Sequence, residues 1–169
     1  DKYIAAANQI AKLCRLSDLV NFCVGDASNL PFKNGRFEVV WSQCSLSHDE
    51  NWLRELERVL AHGGRLALTF AIKRNNPDQH SPKWALQDIV RLLQDLGYSV
   101  NHAEDITKRD IEIGWKALDR QLSEQKIQFA TVLGENWVCS AQQKFMDEIR
   151  TMQEGKWGNG RIFAKKKTG

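Results

Sequence analysis

The chain has 169 residues, 42% hydrophobic and 27% charged, with a formal net charge of +3. That length suits one domain with a real core, and the composition is that of a soluble globular protein. No apolar run approaches the roughly 20 residues that span a bilayer, and the first residues do not read as a signal peptide.

Ile4, Ala7, Ala11 and Cys14 fall at helical spacing, with Asp1 placed to cap the start. Val20–Val24 is a short apolar run that reads as a buried strand ending in Gly25-Asp26-Ala27. Leu30-Pro31-Phe32 closes the loop that follows. Asn34-Gly35 marks a turn, and Phe37–Trp41 gives a second strand. Trp52, Leu53, Leu56, Val59 and Leu60 share one helix face, with Asp49 as N-cap and Gly63 as stop. Leu66–Phe70 is the third strand. Asn75–Pro82 is a polar loop whose Ser81-Pro82 opens the next helix, lined by Ile89, Val90, Leu93 and Leu96 and ended by Gly97. Tyr98–Ala103 reads as a strand. Two helices follow, one carrying Ile111, Trp115, Leu118 and Leu122, the other Ala141, Phe145, Ile149 and Met152. Ser140 with Gln143 suggests a capping box for the second. Gly158-Asn159-Gly160 turns the chain into a last strand, Arg161–Lys165.

Alternation of helices with uninterrupted apolar strands predicts an α/β fold with a mainly parallel sheet. Ligands of such sheets sit beyond the carboxyl ends of the strands. That rule singles out Gly25-Asp26-Ala27, Ser42–His48 and the loop after Phe70. Asp26 follows an apolar run, so its carboxylate faces a crevice and accepts hydrogen bonds there; the plainer reading is an Asx turn. His48 is either a proton acceptor or a backbone-bonded boundary residue. Cys14, Cys23, Cys44 and Cys139 are far apart, with no Cys-x-x-Cys and no His at ligand spacing. Neither zinc nor a disulfide framework is expected, no metal ligands are assigned, and a reducing cytoplasm fits. The charge is too small to argue for nucleic acid, and Lys165–Lys167 reads as a solvated strand end.

The ordered series Val20–Ala27, Leu30-Pro31-Phe32, Phe37–Ser42 and His62–Leu68 resembles the middle of a class I S-adenosylmethionine-dependent methyltransferase of the small-molecule type. Trp41-Ser42-Gln43 and Gly155-Lys-Trp-Gly158 look like the sarcosine and dimethylglycine N-methyltransferase branch. The resemblance implies a Rossmann-like three-layer sandwich, mainly parallel with an antiparallel last strand, in the order 3-2-1-4-5-7-6. It implies S-adenosyl-L-methionine as cofactor, with Asp26 and Ala27 at the adenine and Ser42, Gln43 and Leu46 along the rest. A small-molecule substrate would meet His48, Trp115 and Trp137, with His48 the catalytic candidate.

In these terms residues 1–103 are the cofactor-side core, 104–160 a helical substrate roof, and 161–169 the last strand and tail. Trp115, Trp137 and Trp157 suit either an aromatic cage for an amine or plain packing. The implied reaction is in-line transfer of the sulfonium methyl to a small acceptor, an amine being slightly favoured. It asks for alignment, exclusion of water and deprotonation of the acceptor. The family's opening strand, glycine-rich turn and acid-ended second strand have no counterpart here, so the chain is expected to be an N-terminally truncated domain, inactive alone. A non-catalytic binding or dimerisation domain, with a homodimer as partner, is the alternative; a nicotinamide-dependent dehydrogenase fits less well. Neither nucleic acid nor membrane is an expected partner.

Overall fold

The computed structural model describes residues 2–45 and 49–168. In chain order it contains α1 (Lys2–Leu13), β1 (Phe37–Gln43), α2 (Glu50–Val59), β2 (Leu60–Lys73), α3 (Leu86–Asp95), β3 (Tyr98–Asp105) and α4 (Thr107–Arg109). A π-helical stretch, Asp110–Trp115, then leads into α5 (Lys116–Glu124), α6 (Lys126–Leu133), α7 (Glu135–Gln153) and β4 (Trp157–Lys166). The sheet order is β1-β2-β4-β3. β1 and β2 are parallel, and β4 runs antiparallel to both β2 and β3. Three strands therefore share one direction and the last opposes them, as expected, in the order of the final four places of the implied sheet.

Helix α2 shows how the pattern becomes packing. The Asp49 carboxylate accepts from the Asn51 N–H at 2.9 Å, satisfying one of the orphan donors of the first turn. Trp52, Leu53 and Leu56 then meet Leu66, Leu68, Phe70 and Ile72 of β2 and Ile89 and Leu93 of α3 in one apolar cluster. Burial of this kind contributes about 1.5–3 kcal/mol for each large side chain. The opposite face of the sheet carries Val39, Trp41 and Phe163 at 50%, 70% and 43% exposure. Beyond β1, no further strand pairs with its outer edge among the described residues.

Several expectations are corrected. Val20–Val24 forms no strand: the segment is irregular and mostly exposed, including Phe22 and Val24. A strand needs a neighbour to take its backbone hydrogen bonds, and this run has none in the described sheet. Asp1, the expected cap of α1, lies outside the described residues; the Ile4, Ala7 and Ala11 stripe is the least exposed side of that helix, although only Ala11 is buried. Gly63 does not stop α2. It sits at φ 71° inside β2, where the pairing with β1 slips between Phe37 and Val39. α3 starts at Leu86 rather than Pro82, because the Trp84 carbonyl is taken by the Lys73 N–H at 2.8 Å and its indole is buried.

Ser140 and Gln143 lie inside α7, which begins at Glu135 behind Gly134 at φ 89°, so they form no capping box. α6 was not anticipated. Gly158-Asn159-Gly160 is strand, not turn, paired with Ile72, Ala71 and Phe70. A Cβ on Gly158 would strike Thr107 Oγ1, and one on Gly160 would lie 3.0 Å from Ile72 Cγ2 and 3.1 Å from Leu86 Cδ1. These glycines serve close packing.

Candidate functional site

The carboxyl end of β1 is built from alternation and two anchors. Val40 and Ser42 turn toward α2 while Val39 and Trp41 turn away, and Ser42 is buried. Its hydroxyl lies 3.0 Å from Ser45 Oγ. Gln43 ends the strand exposed. Cys44 then takes a left-handed conformation, φ 51°, which a side chain with a Cβ adopts at a cost. Thr69 of β2 holds it there: the Cys44 N–H donates to the Thr69 carbonyl at 2.7 Å and to its Oγ1 at 3.2 Å. Leu46 and His48, both candidates from the sequence, lie outside the described residues.

Asp26 makes the Asx turn that its sequence allows. Its Oδ1 accepts from the Ser28 N–H at 2.8 Å, and its carbonyl accepts from the Asn29 N–H at 3.0 Å. The carboxylate is exposed, and its Oδ2 has no hydrogen-bond partner among the described residues. Next to it, Ala27 lines a groove of 340 Å³ that runs the length of β1 from Phe37 through Val40 to Ser42, with Leu30, Trp52 and Leu56 on its other side. Ala27 and Ser42, which are 15 positions apart in sequence, are thus brought to one apolar space, with Asp26 one residue away.

A partly buried ion pair holds this loop, and the sequence reading missed it. Glu55 sits on the apolar side of α2 at 9% exposure. Its Oε1 accepts from the Leu30 N–H at 2.7 Å. Arg58 donates from Nε to Glu55 Oε2 at 2.8 Å, and from its two terminal nitrogens to the Leu30 carbonyl at 3.0 Å, the Phe32 carbonyl at 2.8 Å and Asn34 Oδ1 at 2.7 Å. The hydrogen bond from Arg58 holds the Glu55 carboxyl below the usual range, against the opposing effect of burial. The available signal was positional: Glu55 interrupts the Trp52, Leu56, Val59 stripe, and a carboxylate in such a stripe needs a partner.

A second, larger cleft of 900 Å³ opens between α7 and the loop after β2, lined by Asp78, His80, Asp147, Glu148 and Trp157 among others. The His80 backbone N–H holds the Asp78 carboxyl below its ordinary range. Of the tryptophans singled out earlier, Trp115 lies against Phe145 with ring centroids 5.8 Å apart, and Trp137 is 47% exposed. Neither lines this cleft; Trp157 does. The helical region is fastened to the sheet by Asn159, whose N–H donates to Thr107 Oγ1 at 3.1 Å and whose amide donates to Asp110 Oδ2 at 2.7 Å. No helix among the described residues is long and apolar enough to cross a membrane.

Comparison with known proteins follows from this geometry. Residues 1–68 match the family model described as a methyltransferase domain. The sterol 24-C-methyltransferase of Saccharomyces cerevisiae is 30% identical over 135 residues, 68% of this chain and 35% of that protein. The sarcosine/dimethylglycine N-methyltransferase of Aphanothece halophytica is 29% identical over 126 residues, 71% of this chain and 43% of that protein. A crystal structure under the provisional name of sarcosine dimethylglycine methyltransferase, from Galdieria sulphuraria, superposes with a TM-score of 0.79 at 15% identity, over 98% of this chain and 66% of that one. Matches span between 21% and 43% of the curated relatives' own lengths.

Proposed function

We propose, for a chain that belongs to the class I S-adenosylmethionine-dependent methyltransferases, that it forms the adenosyl side of a cofactor site and the roof of an acceptor site. The cofactor supplies an electrophilic methyl group on a sulfonium sulfur; the chain supplies binding, orientation and dryness. The observation that carries this reading is that Ala27 and Ser42 line one apolar groove, which runs along β1 from Phe37 and reaches Ser42 and Ser45 at the strand's carboxyl end. The fit at the nucleobase is chemical. An exocyclic amine donates, and Asp26 Oδ2 is free to accept; a flat ring needs apolar walls, and Leu30 and Trp52 provide them. Ser42 and Gln43 offer polar contacts farther along, and Leu46 an apolar one.

Topology supports the same place. The crossover from β1 through α2 to β2 covers one face, and right-handed crossovers outward from β1 would cover the face that bares Val39 and Trp41. The direction of strand addition would then reverse at β1, and ligands bind at such switch points. A strand and glycine-rich turn docked there would supply the rest of the cofactor cradle.

The relatives named above methylate nitrogen in one case and carbon in the other by their names. We favour an amine acceptor, met by Trp115 and Trp137 of a roof over residues 104–160 and deprotonated by His48. The cleft beside Trp157 carries both signs, Asp78, Asp147 and Glu148 against Lys144 and Lys156, so it is the indole face that favours a cationic acceptor there. Four exposed, unpaired cysteines fit a reducing cytoplasm. A non-catalytic domain that binds or dimerises through its sheet is the second reading, favoured by the exposed Val39, Trp41 and Phe163. Calorimetric titration of the intact protein with S-adenosylhomocysteine and with NAD separates these. Binding of S-adenosylhomocysteine is expected; binding of NAD alone, or of neither, would remove the methyltransferase reading.

A further inference from the structure

We infer that the Glu55–Arg58 pair determines selectivity for adenine over 6-oxopurines, by fixing the turn that carries Asp26; the inference rests on the adenosyl site proposed above. Both backbone groups of Leu30 are held by this pair, its N–H by Glu55 Oε1 at 2.7 Å and its carbonyl by Arg58 at 3.0 Å. The other Arg58 contacts hold Phe32 and Asn34. Upstream, the Asn29 N–H closes on the Asp26 carbonyl at 3.0 Å, so the Asp26 turn ends one residue before the clamped position. Gly25 to Leu30 contains no helix and no strand, only an isolated bridge between Asp26 and Asn29. Its placement is set by its two ends, and the clamp is the firmer of them.

The chemistry of the ring makes that placement matter. At position 6 adenine presents an amine, with an acceptor at the neighbouring N1, and hypoxanthine presents a carbonyl, with an N–H donor at N1. A carboxylate facing position 6 accepts from the amine and repels the carbonyl, but only while it is held to within about half an ångström of hydrogen-bonding geometry there; displaced toward N1 it would accept from the hypoxanthine N–H instead. A turn released from Leu30 lets the carboxylate wander from that position, and the preference for the amine is lost. The burial of Glu55 points the same way. A carboxylate in the apolar stripe of α2 is worth keeping for what it holds, since a hydrophobic residue of similar size would pack there at no electrostatic penalty.

Calorimetry on the intact protein compares S-adenosylhomocysteine with its 6-oxo analogue S-inosylhomocysteine, in the wild type, Arg58→Lys and Glu55→Gln. The wild type is expected to prefer the amine by tenfold or more. Arg58→Lys keeps the charge and loses the planar fork; it should cut the preference below threefold, mainly by weakening the adenine ligand. Glu55→Gln keeps an oxygen for the Leu30 N–H and loses the charge, and is read in its place if Arg58→Lys does not fold. Variants that retain the wild-type ratio, or weaken both ligands equally, overturn the inference and leave the adenosyl site standing. A wild type that binds both purines alike overturns the adenosyl reading, and the inference with it.

Discussion

Replacing Gly158 with alanine places a methyl group where the end of β2, the start of the roof and β4 meet. The added Cβ would coincide with Thr107 Oγ1 and lie 2.9 Å from Thr107 Cβ and 2.7 Å from Arg74 Cδ. Arg74 can move, since its side chain is 30% exposed and its pairing with Asp105 is a surface one. Thr107 is 2% exposed and cannot. Overpacking of this kind costs about 1–3 kcal/mol. Displacing Thr107 also strips the buried Asn159 N–H of its 3.1 Å acceptor, a further penalty of roughly 1–3 kcal/mol. The expected total is about 2–6 kcal/mol, read as a fall in the urea midpoint at unchanged slope. Gly114→Ala is the internal control: apart from its chain neighbours and its own helix backbone, no atom among the described residues lies within 4 Å of its Cβ position, and it sits in the π-helical stretch. That change should stabilise by about 0.5–1 kcal/mol. A Gly158→Ala protein as stable as the wild type, or equal shifts for both variants, would refute the steric account of β4.

Cys44→Gly removes the strain of a side chain at φ 51° and should stabilise by about 1 kcal/mol, whereas Thr69→Val removes one acceptor of the Cys44 N–H and should destabilise by a similar amount; thermal melts that rank the two in the opposite order would contradict the anchoring of β1. Trp115→Ala is expected to raise KM for the acceptor several-fold while S-adenosylhomocysteine affinity holds, and a loss confined to melting temperature would assign the indole to packing on Phe145. Because the Arg58 hydrogen bond lowers the Glu55 carboxyl in the folded protein, its stabilisation is complete above the ordinary carboxylate range, near pH 4.3, and is lost as pH falls through the lowered value. Glu55→Gln should therefore flatten the acid limb of unfolding midpoints measured from pH 3 to 6; a limb parallel to the wild type would show that other carboxyls set it.

Where local pattern and tertiary demand agree, the sequence is legible. The apolar runs of β1 and β2, the α2 stripe and the Asp49 cap all follow from periodicity and side-chain chemistry. Failures lie where distant atoms decide. Gly158-Asn159-Gly160 has turn composition, yet Thr107, Ile72, Leu86 and Phe70 leave no room for side chains there, and none of these is near in sequence. Ser81-Pro82 is a sound helix start locally, but Lys73 claims the Trp84 carbonyl and delays the helix. Val20–Val24 has strand composition and no strand beside it. At the candidate site, Ser42 lies at the end of a strand as expected, whereas Asp26 and Ala27 follow no strand and reach the neighbourhood of Ser42 on an irregular loop. Glu55 and Arg58 were not legible, since paired charges three apart on a helix ordinarily face water, and the loop they hold lies more than 20 positions upstream.

The central claim is that the Asp26 carboxylate receives the amine of a nucleobase, and the affinity of the intact protein for S-adenosylhomocysteine with and without Asp26→Ala tests it most directly. Loss of that acceptor should weaken binding by about 1–3 kcal/mol, or roughly 5- to 150-fold, with little change in melting temperature because the side chain is exposed. Equal affinities for the two proteins would place the nucleobase elsewhere and contradict the account.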